Sequence, residues 1–294
     1  MSGKVVLITG ASTGFGRDTV ETLARAGHTV FASMRNIEGK NRAHAEALRR
    51  LAVAKDLRIT PVELDVTSDA SIDRALAAVL GANSRIDVLI NNAGVFSAGV
   101  SEGFTAAQEA ALFDVNVIGV HRVTRATLPA LRRQKDGLII NISSIVGRVT
   151  FPFFGIYGAS KFAIEALTES YRYELFPLGI EVVLLQPSAY PTPMYASVQR
   201  PADGGRTAEY GPVGEIPGAM FQHFTSVFEG PNAPNPHEVA TAIVRLIDMP
   251  KGMRPERTVV GAPFGADAVN QLTASVQKQV VEALGLGHLA RGPR

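Results

Sequence analysis

Tyr157 and Lys161 stand one helical turn apart in Tyr157-Gly158-Ala159-Ser160-Lys161-Phe162-Ala163, and Ser144 lies thirteen residues before the tyrosine at the end of a strand-like run. A phenol with a pKa near ~10 exchanges protons poorly at neutral pH unless something favours its phenolate. A lysine at i+4 shares the helix face of the tyrosine and brings a positive charge within reach. A serine hydroxyl beside them can hydrogen-bond an oxygen on which charge develops. Together these residues suit proton transfer to a carbonyl oxygen, or from an alcohol.

Short β-branched runs alternate along the chain with longer helical patterns, the signature of βαβ units and a parallel sheet. Strands are predicted at Val5 to Thr9, Thr29 to Ser33, Arg58 to Leu64, Val88 to Asn91, Leu138 to Ile142, Glu181 to Leu185 and Thr258 to Gly261. Most are apolar throughout, as expected of strands covered on both faces. Helices are predicted at Phe15 to Ala26, Ala43 to Ala54, Ala70 to Leu80, Ala106 to Arg133, Tyr157 to Phe176, Pro236 to Ile247 and Ala266 to Leu284. From Tyr195 to Asn235 the chain is rich in Gly and Pro and carries Phe221, Phe224 and Phe228, so an irregular or partly helical insertion over the strand ends is expected. No polar linker divides the 294 residues, which predicts one α/β domain.

The first strand runs into Thr9-Gly10-Ala11-Ser12-Thr13-Gly14-Phe15-Gly16 and then a helix. Glycines there let the backbone turn tightly against a pyrophosphate, and the helix presents unpaired N–H groups and its positive dipole end. The spacing differs from G-x-G-x-x-G, so the strand-turn-helix context carries the reading of a nucleotide site. The same residues fit G-x-S-x-G, the nucleophile elbow of α/β-hydrolases, but only one strand precedes Ser12, too few to supply the oxyanion-hole loop. About 20 residues past the glycine turn, where a carboxylate would hold the ribose hydroxyls of NAD, the chain has Ser33-Met34-Arg35-Asn36. Arg35 offers a fork of donors to a 2′-phosphate, so NADP is expected over NAD.

Thr9-Gly10-x-x-x-Gly14-x-Gly16, Asn91-Asn92-Ala93-Gly94, Ser144 and Tyr157-x-x-x-Lys161, in that order, resemble the classical short-chain dehydrogenase/reductase family, strongly from Val5 to about Thr192 and weakly beyond. The resemblance implies a single Rossmann-fold domain, a doubly wound parallel sheet of about seven strands with helices on both faces. Its cofactor-binding part would be about 1–145 and its catalytic and substrate part about 146–294, with a substrate-loop insertion at about 193–235. It implies cofactor contacts from the turn residues Gly10, Ser12, Thr13, Gly14, Phe15 and Gly16, with Arg35 beyond them. Asp65-Val66 would lie at the adenine, Asn92-Ala93-Gly94 beside the adenosine ribose, and Tyr157, Lys161, Pro187 and Thr192 toward the nicotinamide. Asn116 matches a helix asparagine that holds a water near the lysine. The separation from Tyr157 matches the family at Ser144, leaving Ser143 cofactor-adjacent or structural, since neighbours in a strand point to opposite faces. Pro187-Ser188-Ala189-Tyr190-Pro191-Thr192 departs from the family's Pro-Gly at Ser188, which puts the backbone beside the nicotinamide in question.

The implied activity is hydride transfer between NADP(H) and a small carbonyl or alcohol substrate, with Ser144 on the carbonyl oxygen, Tyr157 as general acid/base and Lys161 favouring the tyrosinate. Val95, Phe96, Phe151, Phe153, Phe154, Met194 and Tyr195 flank the site, so a hydrophobic ketone, aldehyde or secondary alcohol is expected. A catalytically silent NADP-binding sensor is the alternative, though it has no need of an intact Ser144, Tyr157 and Lys161 set. The long helices Ala106 to Arg133 and Tyr157 to Phe176 resemble those that pair between subunits in the family, implying a homodimer or homotetramer.

Composition narrows the classes further. Net charge is +2 with basic residues dispersed, so no nucleic-acid footprint is expected. Cysteine is absent and the six histidines are scattered, which argues against thiolate zinc sites and a metal mechanism. No apolar run has the length of a membrane span and no leader-like segment precedes the first strand, so no membrane partner and a cytoplasmic location are expected.

Overall fold

The computed structural model describes residues 3–290. In chain order the elements are β1 (Val5–Ile8), α1 (Gly14–Arg25), β2 (Thr29–Met34), α2 (Arg42–Lys55), β3 (Ile59–Glu63), α3 (Asp69–Asn83) and β4 (Val88–Asn91). They continue with α4 (Ala106–Phe113), α5 (Gly119–Gln134), β5 (Gly137–Ile142), α6 (Gly155–Leu175), β6 (Ile180–Pro187), α7 (Pro193–Ala196), α8 (Gly204–Glu209), α9 (Pro212–Glu229), α10 (His237–Asp248), β7 (Arg257–Val260) and α11 (Ala266–Ala283). The strands form one parallel sheet in the order β3-β2-β1-β4-β5-β6-β7. The chain therefore steps outward from β1 to β3, then returns to start β4 on the other side of β1. Right-handed crossovers in opposite directions place helices on both faces and open a crevice where the order reverses, at the carboxyl ends of β1 and β4.

Strand side chains alternate between two cores. Val6 and Ile8 pack with Val20 and Leu23 of α1, Leu48 of α2, and Val239 and Ile243 of α10. Val5 and Leu7 face the opposite layer, with Ile72 and Leu76 of α3, Val123 and Leu131 of α5, and Tyr171 and Leu175 of α6. The strands lie where the apolar runs predict them, with ends displaced by one or two residues. Two elements differ from expectation. The helix predicted over Ala106 to Arg133 is interrupted by a π-helical turn, Asp114–Ile118, between α4 and α5. The Gly/Pro-rich insertion is mostly helical, comprising α7, α8 and α9, because burying the aromatic stripe of α9 outweighs weak local propensity. Among the described residues no helix is long and apolar enough to cross a membrane.

A buried polar row braces the sheet directly beneath the crevice. Asn91 Nδ2 donates to Asn141 Oδ1 at 2.8 Å and Thr124 Oγ1 at 3.1 Å, and Asn141 Nδ2 donates to Thr168 Oγ1 at 2.8 Å. The row links α5, β4, β5 and α6 where no water competes. Asn91→Ala strips Asn141 Oδ1 of its donor and should lower unfolding stability by about 1–3 kcal/mol. Urea denaturation checks this; an unchanged midpoint and slope would show that the row does not brace the sheet.

Candidate active site

One continuous cavity of ≈ 610 Å³ runs along the carboxyl ends of the strands from Arg35 to Phe224. At its centre is the turn between β1 and α1. Gly10 has φ +68°, and a Cβ there would fall 2.7 Å from Ala93 Cα, so the turn requires glycine for both conformation and close approach. A Cβ at Gly16 would run into the Gly10 carbonyl and the Asn92 amide. Thr9 and Asn92 latch the two strand ends: Thr9 Oγ1 accepts from the Asn92 and Ala93 N–H groups, each at 3.0 Å, and Asn92 Nδ2 donates to Thr9 O at 2.8 Å. The start of α1 has no side-chain cap at Thr13 and no acidic residue in its first turn. Its N–H groups and dipole are thus available to an anion in the cavity, and the site fits a phosphate-bearing cofactor.

Of the residues singled out in the sequence, Gly10, Ser12, Thr13, Gly14, Phe15, Gly16, Arg35, Asp65, Val66, Asn92, Ala93, Gly94, Ser144, Tyr157, Lys161, Pro187 and Thr192 all line this one cavity. Lys40, Asn41 and His44 join Arg35 at the same end. Lys40 was missed from sequence because a lone lysine in a turn carries no motif. Asp65 closes an Asx turn, accepting from Thr67 N at 2.9 Å and Thr67 Oγ1 at 2.7 Å. The serine in place of glycine after Pro187 is accommodated: Ser188 is not among the positive-φ residues, and its N–H continues the sheet to Val260 O at 2.9 Å.

Ser144, Tyr157 and Lys161 converge at the other half of the cavity. Ser144 has extended backbone just beyond β5, and its hydroxyl donates to Pro187 O at 3.3 Å and accepts from Val146 N at 3.3 Å. Ser143 also lines the cavity, but its hydroxyl is buried without a partner next to Gly147, whose added Cβ would lie 2.9 Å from Ser143 Oγ. Tyr157 and Lys161 are 8 % and 7 % exposed on the first turns of α6, and Lys161 Nζ donates to Ile142 O at 2.9 Å, lying 5.6 Å from the Tyr157 ring centroid.

Asn116 sits in the π-turn and does not line the cavity. Its side chain clamps Val95, accepting from Val95 N at 2.8 Å and donating to Val95 O at 2.9 Å, and also donates to Ser160 Oγ at 3.2 Å. Ser160 in turn donates to Tyr157 O at 2.7 Å. The asparagine is therefore a strut tying the loop after β4 to the first turn of α6, a role that no sequence spacing shows.

Burial dominates the electrostatics. Desolvation pushes the Tyr157 phenol well above its ordinary range, the nearby Tyr195 adds to this, and the Ser144 hydroxyl opposes it. Desolvation likewise pulls Lys161 down to about 8 from 10.5, with Glu165 one turn along the helix holding it up. Tyr157 is thus a neutral phenol, and the expected support of its phenolate by Lys161 is not the prevailing effect. Beyond Tyr157 the cavity is aromatic. Phe96 packs edge-on against Tyr157 at 4.9 Å and Phe154 at 5.1 Å, and Tyr195 meets Phe221, Phe224 and Phe228 at 5.9, 6.3 and 4.9 Å. Val95, Phe96, Phe151, Phe154, Met194 and Tyr195 line it, whereas Phe153 does not and instead adopts φ +65° with its carbonyl accepting from Gly99 N at 2.9 Å.

The model of the short chain dehydrogenase family matches residues 4–203, and the chain belongs to this family. As a short chain dehydrogenase it is an oxidoreductase acting on alcohol or keto groups. It is 37% identical over 192 residues to 3-ketodihydrosphingosine reductase of Bacteroides thetaiotaomicron, a match covering 65% of this chain and 66% of the relative. Among solved structures, a short-chain dehydrogenase from Streptomyces avermitilis is 32% identical with TM-score 0.76, covering 98% of each chain. A short chain dehydrogenase/reductase from Burkholderia phymatum in complex with NAD is 25% identical with TM-score 0.75, covering 95% of each chain.

The lysine shift has a testable sign. Below pH 8 Lys161 is charged whether folded or unfolded, and its burial is fully unfavourable. Between pH 8 and 10.5 the folded state loses the proton that the unfolded state keeps, so stability rises with pH. The stability of the cofactor-free wild type relative to Lys161→Met should therefore increase from pH 8 to 10 in parallel denaturation curves. A difference independent of pH would refute the depressed lysine.

Proposed function

We propose that this protein is an NADP(H)-dependent oxidoreductase that transfers hydride between the nicotinamide and a carbonyl or secondary alcohol of a small, hydrophobic substrate, with Tyr157 as general acid/base. The observation that carries the reading is the convergence of Ser144, Tyr157 and Lys161 on one cavity that also contains the glycine turn. The turn and the start of α1 would hold the cofactor's pyrophosphate, Asp65 and Val66 its adenine, and Pro187 and Thr192 its nicotinamide end. Arg35 and Lys40 would favour a 2′-phosphate. The solved relative that binds NAD supports a nicotinamide cofactor in general, and the two basic side chains argue for the phosphorylated form in this chain.

A bound nicotinamide would supply or accept the hydride. The chain's own residues do the rest. Ser144 presents its hydroxyl to the substrate oxygen, and Tyr157, kept protonated by burial, donates a proton as negative charge grows there. Lys161 places a positive charge next to the phenolate left behind, and the aromatic walls exclude water that would weaken these interactions. In the oxidative direction Tyr157 takes the alcohol proton instead. The Asn116 strut holds the loop after β4 and α6 at a fixed separation, which keeps Tyr157 in place.

Assembly is part of the proposal: Ile118 before α5 and Phe162 on α6 are 44% and 41% exposed, apolar side chains at the start of the two helices that would pair between subunits in a homodimer or homotetramer.

Tyr157→Phe should keep cofactor binding while its reduction of a panel of apolar ketones falls by at least about 100-fold, within the range for a lost general acid. Turnover near wild type would exclude the proton-donor role. For the cofactor, NADPH should raise the melting temperature of wild type more than NADH at equal concentration, and Arg35→Ala should narrow the gap. Equal shifts in wild type would reject the 2′-phosphate assignment. Sedimentation at micromolar concentration should show a dimer or tetramer that Phe162→Asp weakens; a monomeric wild type would contradict the assembly.

A further inference from the structure

The aromatic wall of the substrate chamber is interrupted by one amide. Gln199 lines the cavity beside Phe96, Tyr195 and Phe224. Its backbone is fixed to the Phe96 segment: Gln199 N donates to Phe96 O at 2.9 Å, Gln199 O accepts from Ala98 N at 3.1 Å, and Ser97 and Gln199 form a parallel bridge. Phe96 is the ring that packs on Tyr157, so the amide belongs to the same wall as the proton donor.

Two polar groups at this bridge lack partners. Gln199 Oε1 is buried and accepts no hydrogen bond, and the hydroxyl of Ser97, itself 2 % exposed, has none either. Neither group serves the fold or the proton-transfer set. A buried acceptor without a donor is unfavourable and is normally found paired. Next to a chamber walled largely by rings and aliphatic side chains, it is an unfilled point of recognition.

We propose that Gln199 is a specificity-determining residue that accepts a hydrogen bond from a hydroxyl or amine carried by an otherwise apolar substrate, at a position other than the carbonyl that reacts. This rests on the oxidoreductase reading above and narrows its substrate class to apolar ketones and alcohols with a second hydrogen-bond donor. Rotation of the amide about its terminal bond would be needed to present Oε1 to the chamber. The ketone oxygen would engage Ser144 and Tyr157 while the second group satisfies the amide, fixing the substrate at two points. A purely apolar ketone leaves the amide bare, so binding and turnover discriminate against it.

The test uses 2-decanone and a series of its analogues, each bearing one hydroxyl at a carbon from 4 to 10, with NADPH and the full-length protein. At least one hydroxylated ketone should have a kcat/KM about tenfold or more above 2-decanone in wild type. Gln199→Leu should abolish that advantage, and Gln199→Glu, which keeps acceptor oxygens at the same reach, should retain part of it. If all the ketones are reduced and no hydroxyl position is preferred, or if the preference survives in Gln199→Leu, the assignment is wrong while the oxidoreductase reading stands. If wild type reduces none of them, both fall. If Gln199→Leu folds poorly, Gln199→Glu carries the comparison, and an absent preference in the wild-type series overturns the assignment without any variant.

Discussion

The site depends on a buried charge with a single backbone acceptor. Lys161 is almost fully enclosed, and its ammonium donates to the Ile142 carbonyl, the last of β5. That bond fixes the first turns of α6 against the end of the strand. Ser144 follows Ile142 by two residues, and Tyr157 precedes Lys161 by one helical turn, so the same contact determines where both hydroxyls point. Ser160, next to the lysine, extends the constraint through Asn116 to Val95 and hence to β4. The loops after β4 and β5 are thereby referenced to one turn of one helix.

Enclosing the lysine has an electrostatic consequence. Burial disfavours both the ammonium and the phenolate, so the site holds a reluctant cation beside a protonated phenol. Such a site is suited to giving a proton at neutral pH. A bound anionic cofactor would favour the ammonium, and the charge that Tyr157 needs beside its phenolate would then be present when chemistry begins. The aromatic chamber strengthens this coupling because little water screens it.

Much of this was legible in the sequence because the determinants are local. Strands buried on both faces read as continuous apolar runs, and the glycine turn and the Tyr157-x-x-x-Lys161 step lie within single elements. What escaped has tertiary origins. The π-turn at Asp114–Ile118 lies inside an uninterrupted helical pattern, and the side-chain role of Asn116 depends on Val95 and Ser160 arriving from other elements. Helix α9 contains Pro217, Gly214 and Gly218, so local propensity allows at most a partly helical segment, whereas Phe221, Phe224 and Phe228 acquire their reason from Tyr195 and Phe154 on other elements. The direction of the Tyr157 shift was also not visible, since spacing brings a lysine near but says nothing about desolvation.

The cavity joins two recognition tasks along the strand ends, an anion-compatible end at Arg35 and Lys40 and an aromatic end at Phe96 and Phe224, with Ser144 and Tyr157 between them. In the proposed reaction both hydroxyls address one substrate oxygen. A crystal structure of the protein with NADP⁺ and an unreactive apolar ketone tests this most directly. The ketone oxygen should lie within about 2.5–3.0 Å of both Tyr157 Oη and Ser144 Oγ. A ketone oxygen bound away from the tyrosine, or held by the serine alone, would contradict it.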